Sequence, residues 1–201
     1  MLNLPQNTEM KKQLPKSLVY TKFRMNNAAQ QKFDADISKM FIVNELSERS
    51  VNIAAGENVS SIYIINVQLK SKDYDEKNII LLSKLIPQKI VFILECVDVS
   101  RLAVFHTKLM QSEWQENNSL SLSLSGITLD KVWYNFITQI GKFSIEGDNT
   151  LDEQIAVDEK RQKLKKEIDR LEKQARAEKQ PKKKFELVQE IKSLKNRMEQ
   201  L

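Results

Sequence analysis

One cysteine, Cys96, and one histidine, His106, are all that the 201 residues offer of the two types that build zinc sites. A structural zinc site takes about four such ligands, so none can form within one chain, and no metal is expected. A catalytic Cys-His pair is reduced to a single combination with no motif around either residue. The four glycines, Gly56, Gly126, Gly141 and Gly147, are too scattered to cradle a phosphate, and Gly-x-Ser-x-Gly is missing. A P-loop, a dinucleotide fingerprint and a serine hydrolase elbow are therefore excluded, and no cofactor is expected. No window approaches about 18 consecutive apolar residues, so no membrane span is expected. The N-terminal segment lacks the apolar stretch of a signal peptide, and with one free cysteine this gives a cytoplasmic location as the expectation.

What the chain does contain is enough for a core: 41% of residues are hydrophobic, 29% charged and 7% aromatic. The net charge of +5 is unevenly placed. From Leu151 onward there are 15 Lys+Arg against 11 Asp+Glu, and before it 17 against 16. Residues 160–184 alone hold 12 basic and 4 acidic residues, a local excess of +8 that leaves the rest of the chain net −3.

Hydrophobic spacing divides the chain into an N-terminal arm (1–26), an α/β domain (27–143), a polar hinge (144–150) and a basic helical hairpin (151–201). Phe33, Ile37, Met40 and Phe41 recur at helical spacing and predict a first helix over 27–40. FIVNEL (41–46) and VNIAA (51–55) read as two short strands about the turn Ser47 to Ser50. SIYIINVQLK (61–70), apolar on both faces, predicts an interior strand. A helix ending before Pro87 and the apolar strand KIVFILECV then predict a parallel crossover. The segment from Arg101 to Leu109 reads as a returning hairpin partner. SLSLSLSG (119–126) alternates as a half-exposed strand, and a last helix runs over 129–140 with Gly141 as its cap.

The C-terminal segment is different in kind. Leu164, Ile168, Leu171 and Ala175 are spaced 4, 3, 4, and Leu187, Ile191, Leu194, Met198 and Leu201 are spaced 4, 3, 4, 3. Both are coiled-coil seams, out of register with each other, and Pro181 lies between them. A proline inside a helix costs about 3 kcal/mol, so two helices are expected, about 151–178 and 183–201, with basic residues at the tip. The alternative geometry is one kinked helix that forms a homo-oligomer.

Over residues 27–97 these elements give the order αβββαβ, that of the restriction-endonuclease-like core, within a mixed sheet. In that fold a carboxylate on the second strand and Glu/Asp-x-Lys on the third hold a divalent metal beside the scissile phosphate. The matching places here are Asn52 and Gln68-Leu69-Lys70. Neutral amides bring no negative charge, so the core reads as degenerate and no catalytic residue is expected. Asp34, Asp36, Glu45 and Glu57 are the nearby carboxylates, read first as polar faces and turns. Trp133 and His106 read as core or edge residues, and Trp114, in QSEWQENN, is the aromatic more open to a role. Lys163, Lys165, Lys166, Arg170, Arg176, Lys179, Lys182, Lys183 and Lys184 exceed what helix pairing needs and suit phosphates or an acidic partner.

Leu14-Pro15-Lys16, the block FIVNELSERSVNIAAGENVSSIYIINVQLK (41–70), Ile86-Pro87, SGITLDKVWYNFI (125–137) and AEKQPKKKFEL (177–187) resemble the bacterial and archaeal family called domain of unknown function 4391. Members are often encoded near helicases and DNA methyltransferases of restriction-type phage defence. The resemblance implies a defence context and carries over no catalytic residue. The expectation is a non-catalytic accessory subunit that docks on a helicase or DNA methyltransferase and touches nucleic acid or the partner through the basic hairpin. The alternative is a divalent-metal-dependent DNA nuclease using Lys70.

Overall fold

The computed structural model describes residues 2–145 and 150–199 and divides into two compact units, the first ending at Lys142 and the second beginning at Phe143. The first unit is a mixed α/β body on a seven-stranded sheet. Its strands are β1 (Glu9–Gln13), β2 (Ile37–Ser47), β3 (Ser61–Leu69), β4 (Lys89–Cys96), β5 (Val99–Phe105), β6 (Leu109–Gln111) and β7 (Gln115–Glu116). They lie in the order β1-β2-β3-β4-β5-β6, with β7 also on β5. β3 and β4 are parallel, as a crossover through a helix requires, and the other neighbours are antiparallel. The helices of this unit are α1 (Lys16–Lys22), α2 (Asn27–Asp36), α3 (Glu48–Val51), α4 (Glu76–Leu82) and α5 (Leu129–Gly141).

The two-residue period of the strands sorts their side chains onto two faces. Ile65, Val67 and Leu69 of β3 join Phe92 and Leu94 of β4 in a core closed by Val19 of α1, Phe33 of α2 and Ile79 and Leu82 of α4. Ile62, Ile64, Asn66 and Gln68 alternate with them and point to the other face. α5 packs against β3, β5 and β6 and buries Leu129, Val132, Trp133, Phe136, Ile137 and Ile140, the stripe expected from the sequence. β3 lies between β2 and β4, in the interior of the sheet.

Five expectations are corrected. Glu9–Gln13, in the N-terminal arm, pairs with β2 and becomes the first strand of the sheet. The helix that begins at Asn27 stops at Asp36, because Ile37, Met40 and Phe41 pair with Leu69, Val67 and Asn66 of β3. A spacing that suits a helical stripe also suits a bulged strand, and the cross-strand partners decide. FIVNEL belongs to the long β2, while VNIAA is not a strand: α3 intervenes, Asn52 takes a left-handed conformation with φ 54°, and Ala54 makes an isolated bridge to Thr128. The observed order from α2 to β4 is thus αβαβαβ, one strand short of αβββαβ. SLSLSLSG buries Leu120 and Leu122 without joining the sheet. Ser123 donates to Gln139 Oε1 at 2.8 Å and accepts from its Nε2 at 3.0 Å, so a side chain of α5 takes the place of a strand partner. At the end of α5 it is Lys142, φ 55°, and not Gly141 that adopts the left-handed cap.

The second unit holds α6 (Leu151–Ala177) and α7 (Pro181–Glu199). Thr150 opens α6 with a reciprocal cap: its backbone N–H donates to Glu153 Oε2 at 2.8 Å, and its hydroxyl accepts from the Glu153 N–H. α7 begins at Pro181 instead of 183, since proline has no N–H to lose and its fixed φ suits a first helical position. Residues 146–149, which carry most of the expected hinge, and Leu201 of the second seam lie outside the described residues.

Candidate nucleic-acid interface

The eight seam residues come together. Ile168, Leu171 and Ala175 of α6 and Ile191 and Leu194 of α7 form a buried apolar cluster, with Leu164, Leu187 and Met198 packed against it. Lys195 Nζ of α7 reaches Glu172 Oε1 of α6 at 2.9 Å, and this hydrogen bond and charge hold the Glu172 carboxyl below its usual range.

Burying the seam turns the cations outward. All nine of the basic residues singled out above are exposed. Arg170 pairs with Glu167 at 3.3 Å and Arg176 with Glu172 at 3.7 Å. Among the described residues Lys163, Lys165, Lys166, Lys179, Lys182, Lys183 and Lys184 have no carboxylate partner. Lys182, Lys183 and Lys184 occupy the first turn of α7, which holds no acidic residue. That is the positive end of the helix dipole, where a cation is unfavourable by about 0.3–1 kcal/mol and an anion is favourable. Three lysines there cost the fold stability, and an external anion offsets the cost. Phe185 and Val188, 63% and 48% exposed, lie beside them on α7.

The other proposed site residues do not converge as a nuclease would require. Asn52 caps α3 near Ser47, which pairs with Ser61 at the start of β3, whereas Gln68 and Lys70 lie at its far end. At about 3.3 Å per residue the length of β3 separates them by more than 20 Å. Asp36 meets Lys70 through the backbone, its carbonyl accepting the Lys70 N–H at 2.8 Å. Asp36 Oδ2 is already occupied by the Asp75 N–H and Asn78 Nδ2 at 2.9 and 2.7 Å. Among the described residues no three His, Cys, Asp or Glu side chains gather as metal ligands.

Beside Lys70, Asp34 accepts from Lys16 Nζ and Tyr20 Oη, both at 2.5 Å. Burial alone would raise the Asp34 carboxyl, but these hydrogen bonds and the charges of Lys16 and Lys70 outweigh it and hold it below its usual range. Burial, then the bond to Asp34 and its charge, push the Tyr20 hydroxyl up to about 12. This trio joins α1 to α2, and Lys16 Nζ also bonds the Ile37 carbonyl at 2.6 Å. Trp114 lies against Arg101, whose guanidinium carbon is 4.6 Å from the ring centre, with Lys72 Nζ at 5.9 Å. Trp133 is buried beneath α5, and His106 lies in the turn after β5.

Comparison with protein families matches the one described as domain of unknown function 4391 over residues 2–198. The chain belongs to that family. No curated protein and no solved structure matches it. The match to domain of unknown function 4391 runs through both units, so the basic pair of helices is part of the family's extent and not an appendage to it. No helix among the described residues is long and apolar enough to cross a membrane.

In this member of the family the structure gives Lys16 and Asn66 partners that no sequence pattern assigns to them. Lys16 had no spacing signal, since its partner Asp34 is 18 residues away. Asn66 did have one: it interrupts the apolar run of β3, and a polar residue at a buried strand position requires partners.

Proposed function

We propose that this protein is a non-catalytic accessory subunit of a bacterial anti-phage defence complex of the restriction type, acting in the cytoplasm. Its α/β body, a degenerate relative of the restriction-endonuclease-like core, docks on a larger helicase or DNA methyltransferase. Its two C-terminal helices act as a coiled-coil hairpin whose basic tip touches nucleic acid. The observation that carries this reading is the placement of Lys182, Lys183 and Lys184 at the positive pole of α7, unpaired among the described residues. Intrachain stability disfavours such an arrangement, and phosphate contact rewards it. The defence setting rests on the family resemblance. Affinity purification of the full chain from its native host, followed by mass spectrometry, tests it. A helicase or methyltransferase should co-purify at stoichiometric yield; its absence in both wild type and cross-linked samples sinks the docking role.

A second reading, a divalent-metal-dependent DNA nuclease, draws support from Asp36 lying opposite Lys70, with Gln68 two residues before it on β3. If purified protein degrades DNA with Mg²⁺ or Mn²⁺ and Lys70→Ala or Asp36→Asn abolishes the activity, the accessory reading gives way to this one.

A further inference from the structure

Among the aromatic side chains described, Phe185 alone is exposed, with 63% of its surface open to solvent. The packing of α6 on α7 makes no use of it: Leu187, Ile191, Leu194 and Met198 fill that face of α7. At about 3.6 residues per turn, Phe185 stands about 160° round the helix from Leu187, turned away from the seam. Val188, 48% exposed, lies one turn further on beside it.

The charges of α7 are sorted about the same axis. Glu186 and Glu190 line the recess that α6 and α7 enclose, together with Gln174, Ala177 and Leu187, and Phe185 is not among its walls. Lys182, three residues before Phe185, and Lys192, seven after it, are exposed on its side of the helix. Neither has a carboxylate partner among the described residues. At about 1.5 Å of rise per residue the two lysines bracket the ring along about 15 Å of helix. The outward side of α7 thus presents an aromatic ring with a cation on either side, and the acidic residues of this stretch face elsewhere.

We propose that this side of α7 binds unpaired nucleic acid, one base stacking on Phe185 and the phosphates before and after it meeting Lys182 and Lys192. The inference rests on the reading of the basic tip as a phosphate contact and adds which state of the strand it takes. In a duplex the faces of the bases cover one another, and only an unpaired base offers a π face to an exposed ring. Charge complementarity selects a polyanion, and the extent of the apolar patch selects among polyanions. A helix lying on an anionic lipid surface buries an apolar stripe along its length, whereas Gln189 and Lys192 follow Phe185 at the next positions of its side. Two exposed apolar side chains also fall far short of the roughly 800 Å² per partner of a stable protein interface.

Fluorescence anisotropy of the full chain with labelled oligo-dT of about 16 nucleotides, and with a duplex of the same length, tests the assignment. Phe185→Ala should weaken oligo-dT binding by the worth of one stacked base, about 5- to 150-fold, and leave duplex binding within about twofold. Phe185→Trp, which keeps a stacking surface, should bind oligo-dT at least as tightly as the wild type. Phe185 lies outside the buried seam, so both variants keep the packing of α6 on α7. Unchanged oligo-dT binding in Phe185→Ala, or an equal loss on strand and duplex, overturns the stacking role; binding that still depends on Lys182, Lys183 and Lys184 then upholds the basic tip by itself. No binding of either nucleic acid at low salt overturns both. Tighter binding to phosphatidylserine vesicles than to oligo-dT, lost in Phe185→Ala, assigns this side of α7 to a lipid surface and overturns the proposal as well.

Discussion

Replacing Lys179, Lys182, Lys183 and Lys184 with glutamine should change how salt weakens DNA binding more than it changes anything else. The nine exposed cations singled out above are taken as the phosphate contacts. Each neutralised phosphate contributes about −0.9 to the slope of log K against log salt, so nine give about −8 and the five left in the variant about −4.5. Between 50 and 200 mM salt the wild type should lose about 10⁵ in affinity and the variant about 500-fold. Fluorescence anisotropy with a labelled duplex at four salt concentrations reads both slopes. The fold should tolerate the change: none of the four lysines has an ion pair among the described residues. Removing three of them from the positive end of α7 should leave stability unchanged or raise it by about 1 kcal/mol. A variant with the wild-type slope and unchanged stability would refute the reasoning, since the proposed contacts would then contribute no counterion release.

Phe92→Ala, at a fully buried position in β4, should cost about 3–5 kcal/mol in urea denaturation. Because the folded-state pKa of Asp34 is depressed, the stability it contributes is present above the unfolded carboxyl pKa and lost as pH falls through the folded value. Asp34→Asn should therefore lower stability at pH 7 and flatten the acid limb of the stability profile. It should also lower the Tyr20 pKa from about 12, visible as earlier tyrosinate absorbance in an alkaline titration. A Cβ added at Gly56 would stand 2.3 Å from Asp130 Cγ, whose carboxylate accepts the Glu57 N–H at 2.9 Å, so Gly56→Ala should destabilise by about 1–3 kcal/mol in the same urea assay. Val97 holds φ 55° in the β4–β5 turn while 79% exposed, and Val97→Asn should raise stability by about 1 kcal/mol, read as a higher melting temperature in calorimetry.

Local pattern by itself determined the parts of this protein in which one chemical preference dominates. The apolar run of β3 on both faces required burial within a sheet, and it lies between β2 and β4. The i, i+3, i+4 stripe of α5 could bury Trp133 and Phe136 in one conformation alone, a helix laid on an apolar surface. The two seams and Pro181 favoured two helices over one kinked helix, and the charge counts place the basic excess in that segment.

Tertiary structure decided wherever local preference was balanced. Ile37 to Phe41 suits either a helix or a strand, and pairing with β3 settled it as a strand. Glu9–Gln13 carries too little apolar character to announce itself, yet it completes the sheet through backbone hydrogen bonds that no side-chain pattern records. SLSLSLSG alternates like a strand, but α5 side chains satisfy its backbone first. Which polar groups meet is likewise a matter of register. Asn52, which caps α3, lies toward the start of β3, while Asp36, Gln68 and Lys70 meet at its far end. Spacing along the chain measures distance within an element, and only the pairing of elements measures distance between them.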